Sequence, residues 1–209
     1  MARPRDIEKT RELAARAVAV LERDGLTIST EHLARELGLK RPTLLYHFPT
    51  HGHIVEQALG ELLIEQAAFV AARVEAETHP IDRLYARLSA IHEFHAGREG
   101  RLLFLTQAIA VTGGQRVAEI LAVASSFFDA ARRDMVERVE QGIEQGIVHP
   151  CDATTLVSLL RSVIDGLTLQ RVTNPGAVEP VQKMLWERVL LPLKRTPPAK
   201  SAKSAKRRK

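Results

Sequence analysis

Residues 30–48 read TEHLARELGLKRPTLLYHF, and their pattern predicts the structure of the N-terminal part of the chain. Three apolar side chains at helical spacing predict the buried stripe of a short helix: Leu33, Ala34 and Leu37. Gly38 breaks that helix, and a further short helix follows over residues 39–48, with Pro42 in its first turn, where a missing N–H costs little. Two short helices joined by a glycine-containing turn predict a helix-turn-helix.

The second helix of this motif has a face suited to nucleic acid. Leu39 and Leu44 are expected to fill the small core between the two helices, and Thr30 is expected to cap the first of them. The remaining faces carry cationic, hydroxyl and imidazole side chains: Lys40, Arg41, Thr43, Tyr46 and His47. Such groups form hydrogen bonds with phosphates and base edges, and the second helix of a helix-turn-helix lies in the DNA major groove.

Helical spacing continues along the rest of the chain. A first amphipathic helix follows the apolar residues between 7 and 21 and ends at Gly25. Further helices are predicted over residues 50–77, 81–96, 99–111, 115–146, 152–171 and 177–191, and no alternating strand pattern occurs. The sequence therefore predicts an all-α fold with a three-helix head (residues 1–50), a larger helical body (residues 51–193) and a disordered basic tail (residues 194–209).

Composition excludes several classes of protein. With 45% hydrophobic and 26% charged residues, the 209-residue chain is neither fibrous nor disordered overall. Its longest uncharged stretch, residues 102–115, is shorter than the roughly 18 apolar residues of a transmembrane helix. Asp6 and Glu8 interrupt any secretory signal, and the one cysteine, Cys151, cannot form an intrachain disulfide. We expect a cytoplasmic protein with no membrane partner.

The net charge of +5 is unevenly distributed. The head carries nine basic and seven acidic residues, the body 13 basic and 18 acidic, and residues 194–209 eight basic and no acidic ones. Any nucleic-acid partner is therefore expected at the two ends of the chain.

At residues 25–48 the sequence resembles the tetracycline-repressor (TetR) family, also called TetR/AcrR, of bacterial transcription regulators. The resemblance covers about the first 60 residues and follows the family's DNA-binding signature in order and without gaps: Gly25-Leu26-Thr27, Thr30, Leu33-Ala34, Leu37-Gly38-Leu39, Pro42-Thr43-Leu44 and His47-Phe48. It implies a helix-turn-helix DNA-binding domain followed by a helical effector-binding and dimerisation domain.

The resemblance also implies roles for individual residues. Four side chains would face the bases: Arg41, Pro42, Thr43 and Tyr46. Four others would hold phosphates, assisted by the N-terminus of the helix over residues 50–77: Thr30, Lys40, His47 and His51. For Arg41, Thr43 and Tyr46, a phosphate or solvent contact is the alternative to base readout.

Three positions depart from the family pattern. Lys40 replaces a capping Ser or Thr, Leu45 replaces a Tyr that contacts phosphate, and His51 replaces a Lys. Because the charge of a histidine depends on pH, the predicted DNA affinity is weaker or more sensitive to pH than is usual in the family.

The two ends of the chain add further positive charge. Arg3 and Arg5 form a short arm that either reaches a minor groove or is a frayed terminus. The basic tail either adds nonspecific attraction to DNA or only improves solubility.

The apolar faces of the helices predicted over 152–171 and 177–191 are wider than packing within one subunit requires. We therefore predict that they pair with those of a second copy in a four-helix bundle. The residues assigned to this homodimer interface are Leu156, Leu160, Val163, Leu167, Val181 and Leu185. Ordinary core packing within one subunit is the alternative.

The family resemblance further implies a small-molecule effector that binds in the body and changes the spacing of the heads. The side chains assigned to its pocket are Phe69, Phe94, Phe104, Gln107 and Phe128. Plain core packing is the alternative for each aromatic ring.

Other chemical signals are weak. His92 and His95, in the sequence His-Glu-Phe-His, stand one turn apart and could supply two metal ligands, but no third ligand is identifiable, so solvated helix histidines are expected. No catalytic residue and no cofactor site is assigned. The sequence thus predicts a dimeric, ligand-responsive regulator, most often a repressor in this family, that binds a palindromic double-stranded DNA operator. A helical small-molecule-binding protein that has lost DNA affinity is the alternative.

Overall fold

The computed structural model describes residues 6–98, 100, 101, 104 and 114–195, and for residues 114–128 the backbone alone. Within these residues the chain forms eight α-helices: α1 Ile7–Asp24, α2 Thr30–Glu36, α3 Arg41–His47, α4 His51–Glu75, α5 Pro80–Phe94, α6 Gly114–Glu144, α7 Ala153–Thr173 and α8 Val178–Leu185. The described part contains no strand, only one isolated bridge between Val148 and Lys194. The predicted all-α fold is confirmed.

Local hydrogen bonds set the limits of the head helices. Asp6 caps α1 by accepting from the Lys9 amide (3.0 Å), and Gly25 ends it with a positive φ of 83°. Ser29 caps α2, because its hydroxyl accepts from the His32 amide (3.1 Å). The expected cap, Thr30, is instead the first residue inside α2, so that prediction was wrong by one position.

The turn between α2 and α3 depends on Gly38. Its φ of 71° lies in the left-handed region, which side chains disfavour. The turn lets the Leu39 amide donate to the Ala34 carbonyl (2.8 Å). Leu44 on α3 is fully buried and Leu39 packs beside it, so the predicted helix-turn-helix core is confirmed.

The core of the head extends beyond residue 50. Ile54, Leu59 and Leu62 of α4 pack against the apolar faces of α1, α2 and α3, and Phe94 and Phe104 join the same cluster. The apolar core of the head therefore continues into the first helices of the body.

The body begins with an antiparallel pair, α4 and α5. Arg83 Nη1 fixes the connection between them by donating to the Val74 and Glu77 carbonyls (2.9 Å each). A second core lies where α5, α6, α7 and α8 meet, and its fully buried members are Ile81, Leu88, Val139, Val148 and Leu190. No helix in the described part of the chain is long and apolar enough to cross a membrane.

The last predicted helix, over residues 177–191, is not one regular helix. A 3-10 turn (Pro175–Ala177) precedes α8, and a π-helical turn (Trp186–Leu190) and a second 3-10 turn (Leu191–Leu193) follow it. Pro192 has no amide N–H, so a regular α-helix cannot continue through this residue. Lys194 then pairs with Asp82, Nζ to Oδ1 at 2.6 Å.

Candidate nucleic-acid interface

Helix α3 presents a face with basic and hydroxyl side chains, and buried residues hold the helix in place. Its inner side is anchored by Leu44, and the residue after its last turn, Phe48, is also buried. Its outer side exposes five residues that the sequence assigned to DNA: Lys40, Arg41, Pro42, Thr43 and Tyr46. No Asp or Glu occurs between Glu36 and Glu56, so this face has no acidic side chain of its own.

The start of α3 leaves its cations available. Lys40 occupies the N-cap position without a side-chain capping hydrogen bond, as the sequence predicted. Neither Lys40 nor Arg41 forms an ion pair with any residue that the structure describes. Both cations lie next to the amides of the first turn of α3, which no side chain caps. These amides also attract an anion.

The end of α3 is tied to α1 through His47. Thr10 Oγ1 donates to the Asp6 carbonyl (2.8 Å), so the same oxygen must accept from His47 Nδ1 (2.9 Å). The neighbouring Tyr46 is 41% exposed, and its ring meets that of His47 edge to face at 5.3 Å. Sequence reasoning missed Thr10, because nothing in the spacing of α1 distinguishes it from other exposed polar residues.

The other two assigned residues differ in their availability. The Thr30 hydroxyl is not needed as a cap, since Ser29 has that role. His51 Nε2 donates to the Leu26 carbonyl (2.7 Å), and its Nδ1 is buried. The ring of His51 thus fixes the loop before α2, and its Nε2 hydrogen is already used.

Charged contacts fix α2 against α1 on the opposite side of the head. Arg23 reaches Asp24 (2.7 Å) and Glu36 (2.6 Å), and His32 Nε2 lies 2.9 Å from Asp24 Oδ2. The hydrogen bonds from Arg23 and then His32 hold the pKa of Asp24 well below its usual range. Arg16 adds a hydrogen bond to the Leu37 carbonyl (2.9 Å). These contacts hold the two helices of the motif in place and leave α3 free to meet a partner.

In the body, the structure brings together three of the aromatic rings assigned to a pocket. Phe69 and Phe94 lie 5.6 Å apart, and Phe104 is buried nearby in the same core cluster. Gln107 lies outside the described residues, and so does the side chain of Phe128. The arrangement is compatible with core packing and leaves the pocket a prediction.

His92 and His95 contradict the expectation that they are solvated. They are only 4% and 2% exposed, because α5 turns them toward the interior of the body. The described residues include no group of three or more His, Cys, Asp or Glu side chains placed to hold a metal ion.

The residues assigned to a dimer interface are part of the subunit's own core. Leu156, Leu160, Leu167 and Leu185 are buried, and Val163 and Val181 pack against them. The four leucines are therefore core residues of one subunit, the alternative that the sequence left open, whereas Val163 and Val181 are half-buried. The exposed apolar residues of this region lie on other faces: Leu159, Leu169, Val172, Met184 and Leu191.

No protein-family model matches the sequence, and no curated protein matches it significantly. Solved structures do match. The TetR-family transcriptional regulator PfmR from Thermus thermophilus aligns over 88% of this chain and 99% of its own, with a TM-score of 0.63 and 17% identity. A protein from Saccharomonospora viridis, described as a transcriptional regulator in complex with choline, aligns over 91% of this chain and 100% of its own, with a TM-score of 0.70 and 18% identity.

A third match is AibR, solved in complex with isovaleryl coenzyme A and operator DNA. It aligns over 84% of this chain and 97% of its own, with a TM-score of 0.61 and 16% identity. All three alignments include nearly the whole of the other protein, head and body together. The chain therefore has the fold of the TetR-family transcriptional regulators.

Proposed function

We propose that this protein is a transcriptional regulator without enzymatic activity. It binds double-stranded DNA through α3, acts in the cytoplasm as a homodimer on a palindromic operator, and responds to a small molecule in its body. The observation that carries the proposal is the exposed, acid-free face of α3, held on a buried helix-turn-helix core. The matched structures support it, since one of them holds operator DNA.

Residues of α3 would have separate roles on DNA. Arg41 and Thr43 are exposed near the start of the helix, the part that meets base edges in a helix-turn-helix. Lys40 precedes the helix and is placed for a phosphate, as is His47 at its end. His51 is left out of this set because its ring already donates to the Leu26 carbonyl.

The test of DNA binding is fluorescence anisotropy with fragments of the DNA upstream of the gene, over a range of salt. Arg41→Ala should cost about 1–3 kcal/mol on the preferred fragment and reduce the preference for it over random DNA. Lys40→Ala should weaken binding to all fragments alike and reduce the salt slope by about one. Arg138→Ala, which removes an exposed cation of α6, is the matched control.

If no upstream fragment binds better than random DNA at any pH, the proposal that the protein is a transcriptional regulator is contradicted. Such a result would favour the alternative, a helical small-molecule-binding protein without DNA affinity.

The homodimer would form through the exposed apolar face of α7 and the apolar residues after it. Leu159, Ser162, Gly166 and Leu169 follow one another at spacings of three, four and three residues, which places them on one side of α7. Leu169 is 63% exposed, and Met184 of α8 is also exposed. A twofold pairing of these surfaces would cover them and hold two α3 helices about 34–36 Å apart, one turn of DNA.

Light scattering on the purified protein tests the dimer. Leu169→Glu should produce monomers and weaken operator binding. A dimer binds the two half-sites of the operator together, whereas monomers bind each half-site separately. Ile64→Glu introduces the same charge at an exposed apolar position of α4 and should leave the mass unchanged. A monomeric wild-type protein at micromolar concentration would refute this part of the proposal.

A further inference from the structure

The exposed face of α3 lacks the side chains that commonly identify adenine and cytosine. Residues 37–55, from the turn before α3 to the start of α4, contain no Asn, Gln, Asp or Glu. Asn and Gln form paired hydrogen bonds with adenine, and Asp and Glu accept from the amino group of cytosine. Helix α3 therefore has no side chain for either of these contacts.

The groups that α3 does expose differ in how well they distinguish the bases. The hydroxyl groups of Thr43 and Tyr46 can donate or accept a hydrogen bond, so they do not select one base. The side chain of Pro42 offers apolar contact alone. Arg41 has donors only, five N–H groups in a planar fork. Arg41 is therefore the exposed side chain of this helix that requires a partner with several acceptors.

Guanine is the base that matches a fork of donors. Its edge in the major groove presents two neighbouring acceptors, O6 and N7. Adenine presents an acceptor beside a donor, thymine an acceptor beside a methyl group, and cytosine a donor. An arginine can therefore form two hydrogen bonds with guanine and at most one with any other base.

The position of Arg41 suits a contact with a base. Arg41 is the first residue of α3, and the N-terminal residues of the second helix in a helix-turn-helix are the ones that contact base edges. Its side chain is exposed. Leu44 and Phe48 are buried and hold α3 against the core of the head, so an ordered helix carries the guanidinium.

The neighbouring cation, Lys40, suits a phosphate better than a base. Lys40 lies before the helix, at its N-cap position. Its ammonium is a compact charge on a flexible stem, whereas the guanidinium of Arg41 has a fixed planar shape that fits a pair of acceptors. Of these two cations, Arg41 is therefore the better match to guanine.

We propose that Arg41 recognises one guanine in each half of the operator by donating to its O6 and N7 atoms, and that this contact sets the base preference of α3. The proposal rests on the proposed function, which it deepens by naming the base. Because the hydroxyl groups of Thr43 and Tyr46 accept several bases, this guanine is the position of the half-site that varies least among the sequences bound through α3.

Selection from a pool of randomised DNA duplexes tests the proposal. The full-length wild-type protein should enrich palindromes with a guanine at the same position of each half. Arg41→Gln should enrich palindromes with adenine at that position, because a glutamine side chain pairs with N6 and N7 of adenine. If Arg41 held only a phosphate, Arg41→Gln would lose affinity and still select guanine, and this result would overturn the proposal.

A modified base tests the same contact without a change of protein. Replacing the selected guanine by 7-deazaguanine removes the N7 acceptor and keeps the pairing with cytosine. In anisotropy titrations the wild-type protein should bind this duplex about tenfold more weakly, since it loses a hydrogen bond from a charged group. Arg41→Ala should bind both duplexes equally. Unchanged affinity of the wild type, or an equal loss in both proteins, overturns the proposal.

Two further variants control for the loss of positive charge. Lys40→Gln removes the neighbouring cation, and Arg138→Gln removes an exposed cation of α6. Both should select the same guanine as the wild type, and Lys40→Gln should bind all sequences more weakly. Loss of the guanine preference in Lys40→Gln but not in Arg41→Gln would assign the contact to Lys40 and overturn the proposal. If Arg41→Gln fails to fold, the 7-deazaguanine titration of the wild type decides.

The outcome is distinguishable from failure of the proposed function. A wild-type protein that enriches no sequence contradicts both the transcriptional regulator and the guanine contact. Enriched palindromes without a guanine that depends on Arg41 contradict the guanine contact alone and leave the regulator intact.

Discussion

Arg101 and Glu22 form an ion pair between the body and the head, with Arg101 Nε 3.0 Å from Glu22 Oε1. Their side chains are only 11% and 18% exposed. Arg101 also lies 3.6 Å from Glu65 of α4 and over the ring of Phe94, 5.0 Å from its centre. One guanidinium thus joins the end of α1, the middle of α4 and the end of α5.

The two partners of this pair should contribute unequally to stability. Arg101→Ala leaves Glu22 mostly buried without its ion-pair partner and should lower the free energy of unfolding by about 3 kcal/mol. Glu22→Gln should cost less than about 1 kcal/mol, because Arg101 keeps Glu65 and a neutral amide is easier to bury. The pKa of Glu22 agrees with this, since burial raises it despite the nearby arginines. Urea denaturation at pH 7 measures both values, and equal losses would refute the asymmetry.

Gly142 of α6 marks a close approach within the body. A Cβ at this position would lie 2.7 Å from Val148 Cγ2 and 3.1 Å from Pro80 Cγ. Gly142→Ala should therefore destabilise the protein by about 1–3 kcal/mol, although alanine is the better helix former. Gly60→Ala on α4 is the control, because a Cβ there meets no atom within 4 Å. It should be neutral or stabilise the protein by up to about 1 kcal/mol.

A double variant identifies the cause of the Gly142 effect. Val148→Ala removes the methyl group that the new Cβ would meet, so Gly142→Ala should cost less in that background than in the wild type. Thermal denaturation of the four proteins gives the coupling. Strict additivity would show that backbone effects, and not the contact with Val148, destabilise the single variant.

The fold of the head is readable from sequence because its determinants are local. Leu33, Ala34 and Leu37 mark one face of a seven-residue helix, and Gly38 supplies the positive φ of the turn that follows. The helix limits depend on single hydrogen bonds, and two adjacent hydroxyl residues, Ser29 and Thr30, are equally plausible caps on composition alone.

The buried and exposed faces of the body helices cannot be predicted from the sequence in the same way. Helix α7 has apolar residues on most of its circumference, including the neighbours Leu159 and Leu160, so spacing alone does not decide which of them faces the core. The structure buries Leu160 and exposes Leu159. The burial of His92 could not be predicted from local sequence either. Arg171, which donates to the His92 carbonyl, is 79 positions away in sequence.

Protonation of His92 and His95 should destabilise the protein in acid. Their folded pKa of about 4 lies below the unfolded value of about 6.5, so the unfolded state binds more protons between these limits. Their contribution to stability is therefore complete above about pH 6.5 and is lost as the pH falls toward 4. The loss is at most about 3 kcal/mol for each ring.

Urea denaturation from pH 7.5 to 4 tests this dependence. Carboxylates also contribute to acid unfolding, so the comparison is between variants. His95→Gln should make the free energy of unfolding fall less steeply below pH 6.5, whereas His149→Gln, at an exposed position, should follow the wild type. Identical slopes for His95→Gln and the wild type would contradict the burial of a neutral ring.

The contact between Thr10 and His47 should contribute to DNA binding. Because His47 Nδ1 donates to Thr10 Oγ1 (2.9 Å), Nε2 is the ring nitrogen that remains to meet DNA. His47→Gln should therefore weaken DNA binding severalfold. Thr10→Val should also weaken binding, since it removes the acceptor that orients the ring, and it should leave the fold intact because the side chain is similar in size. Anisotropy titrations measure these effects, with His149→Gln as the control. Unchanged affinity in both variants would show that His47 only packs on Tyr46 and Phe48 and does not meet the DNA.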